Sequence, residues 1–178
     1  MHWYNEPPIW TANDSIITVQ TAPETDFWRI TNSGFIGDNG HFYHQHQAGN
    51  FQAEVKVSGE YHTLYDQAGL MVRVDEATWL KCGIEYIDGR QCASAVVTRE
   101  FSDWSLVTLP SNPPALWLRL KRQGITVEVH YSLDGIEYQL LRQAYLSSAA
   151  SVEVGIMAAS PIGSGLSVTF EGLSIQSI

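Results

Sequence analysis

Asp88-Gly89, within the run Trp79–Thr98 (WLKCGIEYIDGRQCASAVVT), is the feature that most constrains this chain. A two-residue turn of type I′ needs positive φ at both central positions, and Asp-Gly is among the few pairs that supply it readily. That turn sets the register of a hairpin: Ile87 faces Arg90, Glu85 faces Cys92, Gly83 faces Ser94, Lys81 faces Val96 and Trp79 faces Thr98. Paired residues share a face, and faces alternate along a strand. Leu80, Cys82, Ile84, Ala93, Ala95 and Val97 therefore make one apolar side, expected to be core. Trp79, Lys81, Glu85, Cys92, Ser94 and Thr98 line the other. The chain's two cysteines, Cys82 and Cys92, fall on opposite faces and are expected to be free thiols. A plain solvated face would carry Thr, Ser and Gln rather than a tryptophan, a lysine and a glutamate.

Alternating or continuous apolar segments recur at 15–21, 50–61, 68–74, 115–124, 125–132, 137–145, 151–160 and 166–177. Asp38-Asn39-Gly40, Gln123-Gly124, Asp134-Gly135 and the stretch Pro161 to Gly165 supply turns between them. About ten to thirteen short strands with little helix point to a two-sheet sandwich or a jelly roll. Segments 15–21 and 166–177 are expected to share a sheet. The stretch 101–114 (FSDWSLVTLPSNPP) is expected to be a loop, because proline cannot donate to a ladder. A length of 178 residues suits one domain spanning 1–178.

A formal net charge of −9 makes phosphate backbones and anionic membranes poor partners, so neither nucleic acid nor membrane is expected. No apolar run approaches the ~20 residues a membrane helix needs. The start, MHWYNEPPIW, lacks the basic and apolar regions of a signal peptide, which makes the cytoplasm the expected location. Two cysteines are too few for a disulfide scaffold or a thiolate zinc site.

Six ordered blocks carry a resemblance: TDFWRIT (25–31), YDQAGLMVR (65–73), WLKCGIEY (79–86), VVTREFSDWS (96–105), YSLDG (131–135) and GIMAASP (155–161). Together they resemble the small single-domain family of regulation-of-enolase proteins, within the concanavalin A-like lectin/glucanase superfamily. The resemblance implies an all-β, concanavalin A-like jelly-roll sandwich of two curved antiparallel sheets. It further implies a concave face of the kind that binds or cleaves carbohydrate in related folds, but no particular activity.

On that frame Trp79, Lys81 and Glu85 line a groove, and the preceding strand adds Gln67, Met71 and Arg73. An aromatic ring covers the apolar C–H face of a sugar while polar groups fix its hydroxyls. The plainer alternative makes Lys81 and Glu85 a solvated ion pair worth ~0–1 kcal/mol. Trp28 and Trp104 are candidate platforms at the groove, or else plugs of core and loop gaps. Asp26 and Asp103 beside them are turn formers, and Arg99 and Ser102 belong to the rim. His41, His44 and His46 lie in HFYHQH; the last two share a strand face, and surface or groove positions suit them better than metal ligation. Retaining and inverting glycosidases need two carboxyls at set spacings. No Glu-x-Asp-x-Glu run is present, so carboxyls could meet only across strands, as Glu85 with Asp26, Asp66 or Asp103. The expected site is thus a ligand-binding one made of Trp28, His44, Gln67, Arg73, Trp79, Lys81, Glu85, Asp103 and Trp104, with no catalytic residue, metal or cofactor. Its expected partner is a carbohydrate or small metabolite. The alternatives are a protein partner, such as a metabolic enzyme, and a glycoside hydrolase with dispersed carboxylates.

Overall fold

A computed structural model describes residues 1–178 and contains no helix. Fourteen strands form two seven-stranded sheets, and every pairing is antiparallel. The front sheet runs in the order β1 (His2–Tyr4), β6 (His41–Ala48), β15 (Ser151–Ala159), β8 (Gln67–Asp75), β9 (Thr78–Ile87), β10 (Arg90–Arg99) and β11 (Phe101–Thr108). The back sheet runs β14 (Gln139–Tyr145), β13 (Thr126–Ser132), β12 (Leu116–Gln123), β7 (Phe51–Gly59), β16 (Ser167–Ser177), β3 (Ile16–Gln20) and β2 (Ile9–Asn13). β4 (Phe27–Arg29) and β5 (Ile36–Asp38) make a separate two-stranded ribbon. The expected pairing of the 15–21 and 166–177 segments is the β3–β16 ladder.

The hairpin β9–β10 has the register that its turn dictates. Asp88 and Gly89 take φ values of 49° and 82°, and Trp79, Lys81 and Glu85 sit opposite Thr98, Val96 and Cys92. Leu80, Cys82, Ile84, Ala93, Ala95 and Val97 enter the core between the sheets, where they meet Val55, Val57, Leu118 and Phe170. Both cysteines are buried free thiols on opposite faces of the front sheet. Burial among apolar groups pushes Cys82 up to about 12, which leaves it an inert thiol.

Residues 101–108 are a strand and not a loop: β11 pairs along its whole length with β10. Glu100 alone makes the reversal, at φ 65°, with its N–H bonded to the Ala77 carbonyl. Pro110, Pro113 and Pro114 all lie beyond the ladder, so their effect on pairing begins only after Thr108.

The other face of the front sheet is not open along its length. Phe27 of the ribbon packs with Phe42, Met71, Trp79, Val96, Met157 and Ala159 in a second buried cluster, with Tyr4 and Trp28 at its margin. The ribbon thus covers the middle of this face and leaves space only toward the Gln67 and Glu85 end.

Candidate functional site

The space left beside the ribbon is a pocket of about 430 Å³. Its floor comes from the front sheet. Gln67 on β8 stands opposite Glu85 on β9, and Lys81 lies on the same face four residues before Glu85. Between them Gly69 faces Gly83. A Cβ at Gly69 would come within 1.9 Å of the Cys82 carbonyl oxygen, and one at Gly83 within 2.0 Å of the Ala68 carbonyl oxygen. Only glycine permits that approach, and the bare pair leaves the floor low between the polar side chains.

Three rings form the walls. Trp28, from the ribbon, and Trp104, from β11, stand 6.3 Å apart with their planes at 84°. Tyr65, in the segment before β8, stands 6.3 Å from Trp104 at 67°. Tyr65 and Ile30 both take left-handed φ values, 70° and 63°, which a bulky or β-branched residue adopts only when its surroundings impose it. Tyr65 is held by an N–H bond to Tyr86 O. Ile30 is held by N–H bonds with Phe35 and Gly34 that close the Thr31–Phe35 loop over the pocket mouth. The ribbon is fixed to β11 by Ser102, whose Oγ accepts from Arg29 N at 2.9 Å and bonds Thr98 Oγ1 at 2.8 Å.

The floor is polar, and its residues are largely buried. Glu85 is 6% exposed, Gln67 and Lys81 5% each. Glu85 Oε2 accepts from Ser94 Oγ at 2.6 Å and from Trp104 Nε1 at 2.8 Å. Burial pushes the Glu85 carboxyl above its ordinary range, against the opposing pull of Lys81, Ser94 and Trp104. Lys81 Nζ donates to Phe27 O at 2.5 Å and lies 3.4 Å from Asp26 Oδ1. Gln67 Nε2 donates to the same Asp26 oxygen at 3.3 Å and to Tyr65 O at 3.2 Å, which fixes the orientation of its amide.

Of the nine expected site residues, the structure brings Trp28, Gln67, Lys81, Glu85 and Trp104 together in this pocket. Asp103 borders it, but Asp103 pairs with Val97, a residue of the inter-sheet core. The period of two therefore turns the Asp103 side chain away from its neighbour Trp104. Trp79 is on the expected face yet 1% exposed, buried against Phe27. Its expected role as an open platform is corrected: it supports the second core. Arg73 is likewise spoken for. Its two terminal nitrogens grip the Asp38 carboxylate at 2.6 and 2.9 Å, and the Tyr4 ring lies 4.6 Å from its guanidinium carbon. His44 lies apart from the pocket, stacked on Phe42 and bonded through Nδ1 to Glu153 Oε2 at 2.7 Å. Glu153 reaches His46 too, at 3.1 Å, a convergence across β6 and β15 that no local spacing announces.

Asp26 and Tyr65 are the pocket residues outside the expected nine that matter most. Asp26 had weight as a carboxylate able to meet Glu85 across strands, and both do line the pocket. Asp66 does not: it caps His62 N and Thr63 N and takes the Ser160 hydroxyl. Tyr65 had no signal beyond lying next to Asp66 in YDQAG.

Two stacked antiparallel sheets with a site on the outer face of one define a concanavalin A-like β-sandwich protein. The chain belongs to the family described as "Protein of unknown function (DUF1349)", whose pattern matches residues 3–178. It is 39% identical to Regulation of enolase protein 1 of Saccharomyces cerevisiae, over 97% of this chain and 87% of the relative. A solved structure of a functionally unknown protein from Saccharomyces cerevisiae superposes with a TM-score of 0.95 at 39% identity, covering 99% of this chain and 95% of that one. Two more distant structures share the fold. A mutant of the GH43 protein BlXynB of Bacillus licheniformis gives a TM-score of 0.77 at 15% identity, and the match covers 97% of this chain but 36% of that one. A legume lectin-like domain from Entamoeba histolytica gives 0.63 at 10%, over 99% and 90% of the two chains.

Proposed function

We propose that this protein is a non-catalytic binding module for a carbohydrate or a related polyol, acting in the regulation of sugar metabolism. The observation that carries the reading is the pocket itself: three aromatic walls above a floor of buried polar groups. Ring faces cover the C–H surfaces of a sugar, and the floor supplies directional partners for its hydroxyls. The lectin-like neighbour supports the fold side of the reading, and the yeast relative's name supports the regulatory side. A thermal-shift screen of monosaccharides and sugar phosphates tests it. A ligand present at ~100 Kd should stabilise the protein by ~2.7 kcal/mol, roughly 5–10 °C at this size. The shift should vanish in Trp28→Ala. A screen without any hit, or a hit that survives Trp28→Ala, would sink the reading.

A second reading is a docking surface for a metabolic enzyme. Phe35, Ile36 and Phe101 stand exposed on the ribbon and at the start of β11, and the relative's name points to enolase. Purified enolase binding that is lost in an Ile36→Asp, Phe101→Asp double variant, with sugar binding intact, would favour it. Hydrolysis is the third reading, supported by the presence of Asp26 and Glu85 in one pocket. Release of nitrophenol from aryl glycosides, abolished by Glu85→Gln, is its test.

A further inference from the structure

We infer that the ligand of this pocket carries an amine, and that it is an amino sugar whose ammonium sits on the Glu85–Asp26 floor while its ring lies against Trp28 and Trp104. The inference rests on the sugar-binding reading above and adds the ligand's charge.

The floor is unbalanced in hydrogen-bonding capacity. Glu85 accepts both of its protein bonds at Oε2, so Oε1 is left for the pocket. Asp26 takes Phe27 N, Gln67 Nε2 and Lys81 Nζ at Oδ1, so Oδ2 is also left. Gln67 spends its donor on Asp26 and Tyr65, which leaves its Oε1 as an acceptor. Three side-chain acceptors thus have no donor in the protein, and two of the three residues are more than nine-tenths buried. None of these three atoms is shut away from the pocket space, so a ligand that fills it strips them of solvent and must itself bring donors. An ammonium brings three and accepts nothing, as this floor asks.

Charge points the same way. Lys81 is the pocket's one cationic side chain, and Asp26 and the Phe27 carbonyl already hold it. The neighbouring arginines are engaged as well, Arg29 with Glu100 and Arg73 with Asp38. Glu85 has no cation bonded to it, so its ionised form is the uncompensated charge of the site and burial disfavours it. A ligand cation would balance it in surroundings where charges are weakly screened. Trp28, Trp104 and Tyr65 all line the same space, where a ring face met by the ligand would add attraction for a cation. A carboxylated or phosphorylated sugar would find no free donor of positive charge here.

The test is calorimetric titration of the intact protein at pH 7 and low salt with glucosamine, glucose and glucuronate. Glucosamine should bind at least about tenfold more tightly than glucose, with glucuronate the weakest, and added salt should weaken glucosamine alone. Glu85→Gln keeps acceptors for Ser94 and Trp104, and should bring glucosamine to the level of glucose. Its melting temperature checks that the variant is folded, and the salt dependence of the unaltered protein gives the same information without any variant. Equal binding of glucose and glucosamine would overturn the inference and leave the sugar reading standing. Tighter binding of glucuronate would also overturn it, as would a glucosamine preference that survives Glu85→Gln. Absence of binding by all three would remove both readings together.

Discussion

Glu85 is placed where a carboxyl costs stability when it is charged. Desolvation raises its folded pKa above the ordinary 4.5, and Asp26 pushes the same way. The folded state therefore holds a proton at Glu85 more readily than the unfolded chain does. Glu85's favourable contribution is present at low pH and is lost as pH rises through its raised folded value. Glu85→Gln should melt near the parent protein at pH 4.5 and above it at pH 7. Parallel melts at the two pH values check this, and a variant that is less stable at pH 7 would contradict it. Trp79 behaves in the opposite sense to a surface platform. At 1% exposure, with Phe27 and Met71 in its cluster, Trp79→Ala should cost ~3–5 kcal/mol. A melting temperature lowered by roughly 10 °C or more would register that loss.

The β9–β10 hairpin was legible residue by residue, because one Asp-Gly turn fixes a register and a period of two does the rest. The ribbon β4–β5 was not. Its strands are three residues each, too short for alternation to show, and their reason for pairing is a tertiary one: Phe27 fills a space over Trp79. β11 was missed for a related reason. As an edge strand with exposed residues on both faces it has little apolar periodicity, and the nearby prolines gave a stronger signal. The consequence for the site is direct, since parity could place Gln67, Lys81 and Glu85 but could not say that Trp79 and Arg73 would be covered. The link between ribbon and edge strand is Ser102. Ser102→Ala removes the acceptor for Arg29 N and leaves that amide unpaired beside a buried Thr98, at a cost of about 1–3 kcal/mol. Faster hydrogen exchange at the Arg29 amide, with the β8–β9 ladder unchanged, is the expected signature.

At the scale of the whole molecule, the front sheet carries an apolar cluster on each of its faces, one shared with the back sheet and one beneath the ribbon. That the chain forms a two-sheet sandwich was legible from turn spacing and alternation over its whole length. That the outer face is partly filled by the chain itself was not, because it depends on Phe27 meeting residues from Phe42 to Ala159, most of them far along the chain. The excess of acidic over basic side chains, 19 against 10, spreads one sign of charge over a single small body. Self-repulsion of that kind is relieved by screening. Raising sodium chloride from 10 mM to 300 mM should lift the melting temperature by a few degrees, and a flat or falling profile would show that local ion pairs outweigh net charge. The ribbon has one further effect. A polymer lying across an open sheet can be held anywhere along its length. With Phe27 and Trp28 laid over the middle of this face, such a polymer would have to pass through β4 and β5. On the reading proposed above, the protein counts ends and not middles: it meets a glycan only at a terminus, or meets a sugar that is free.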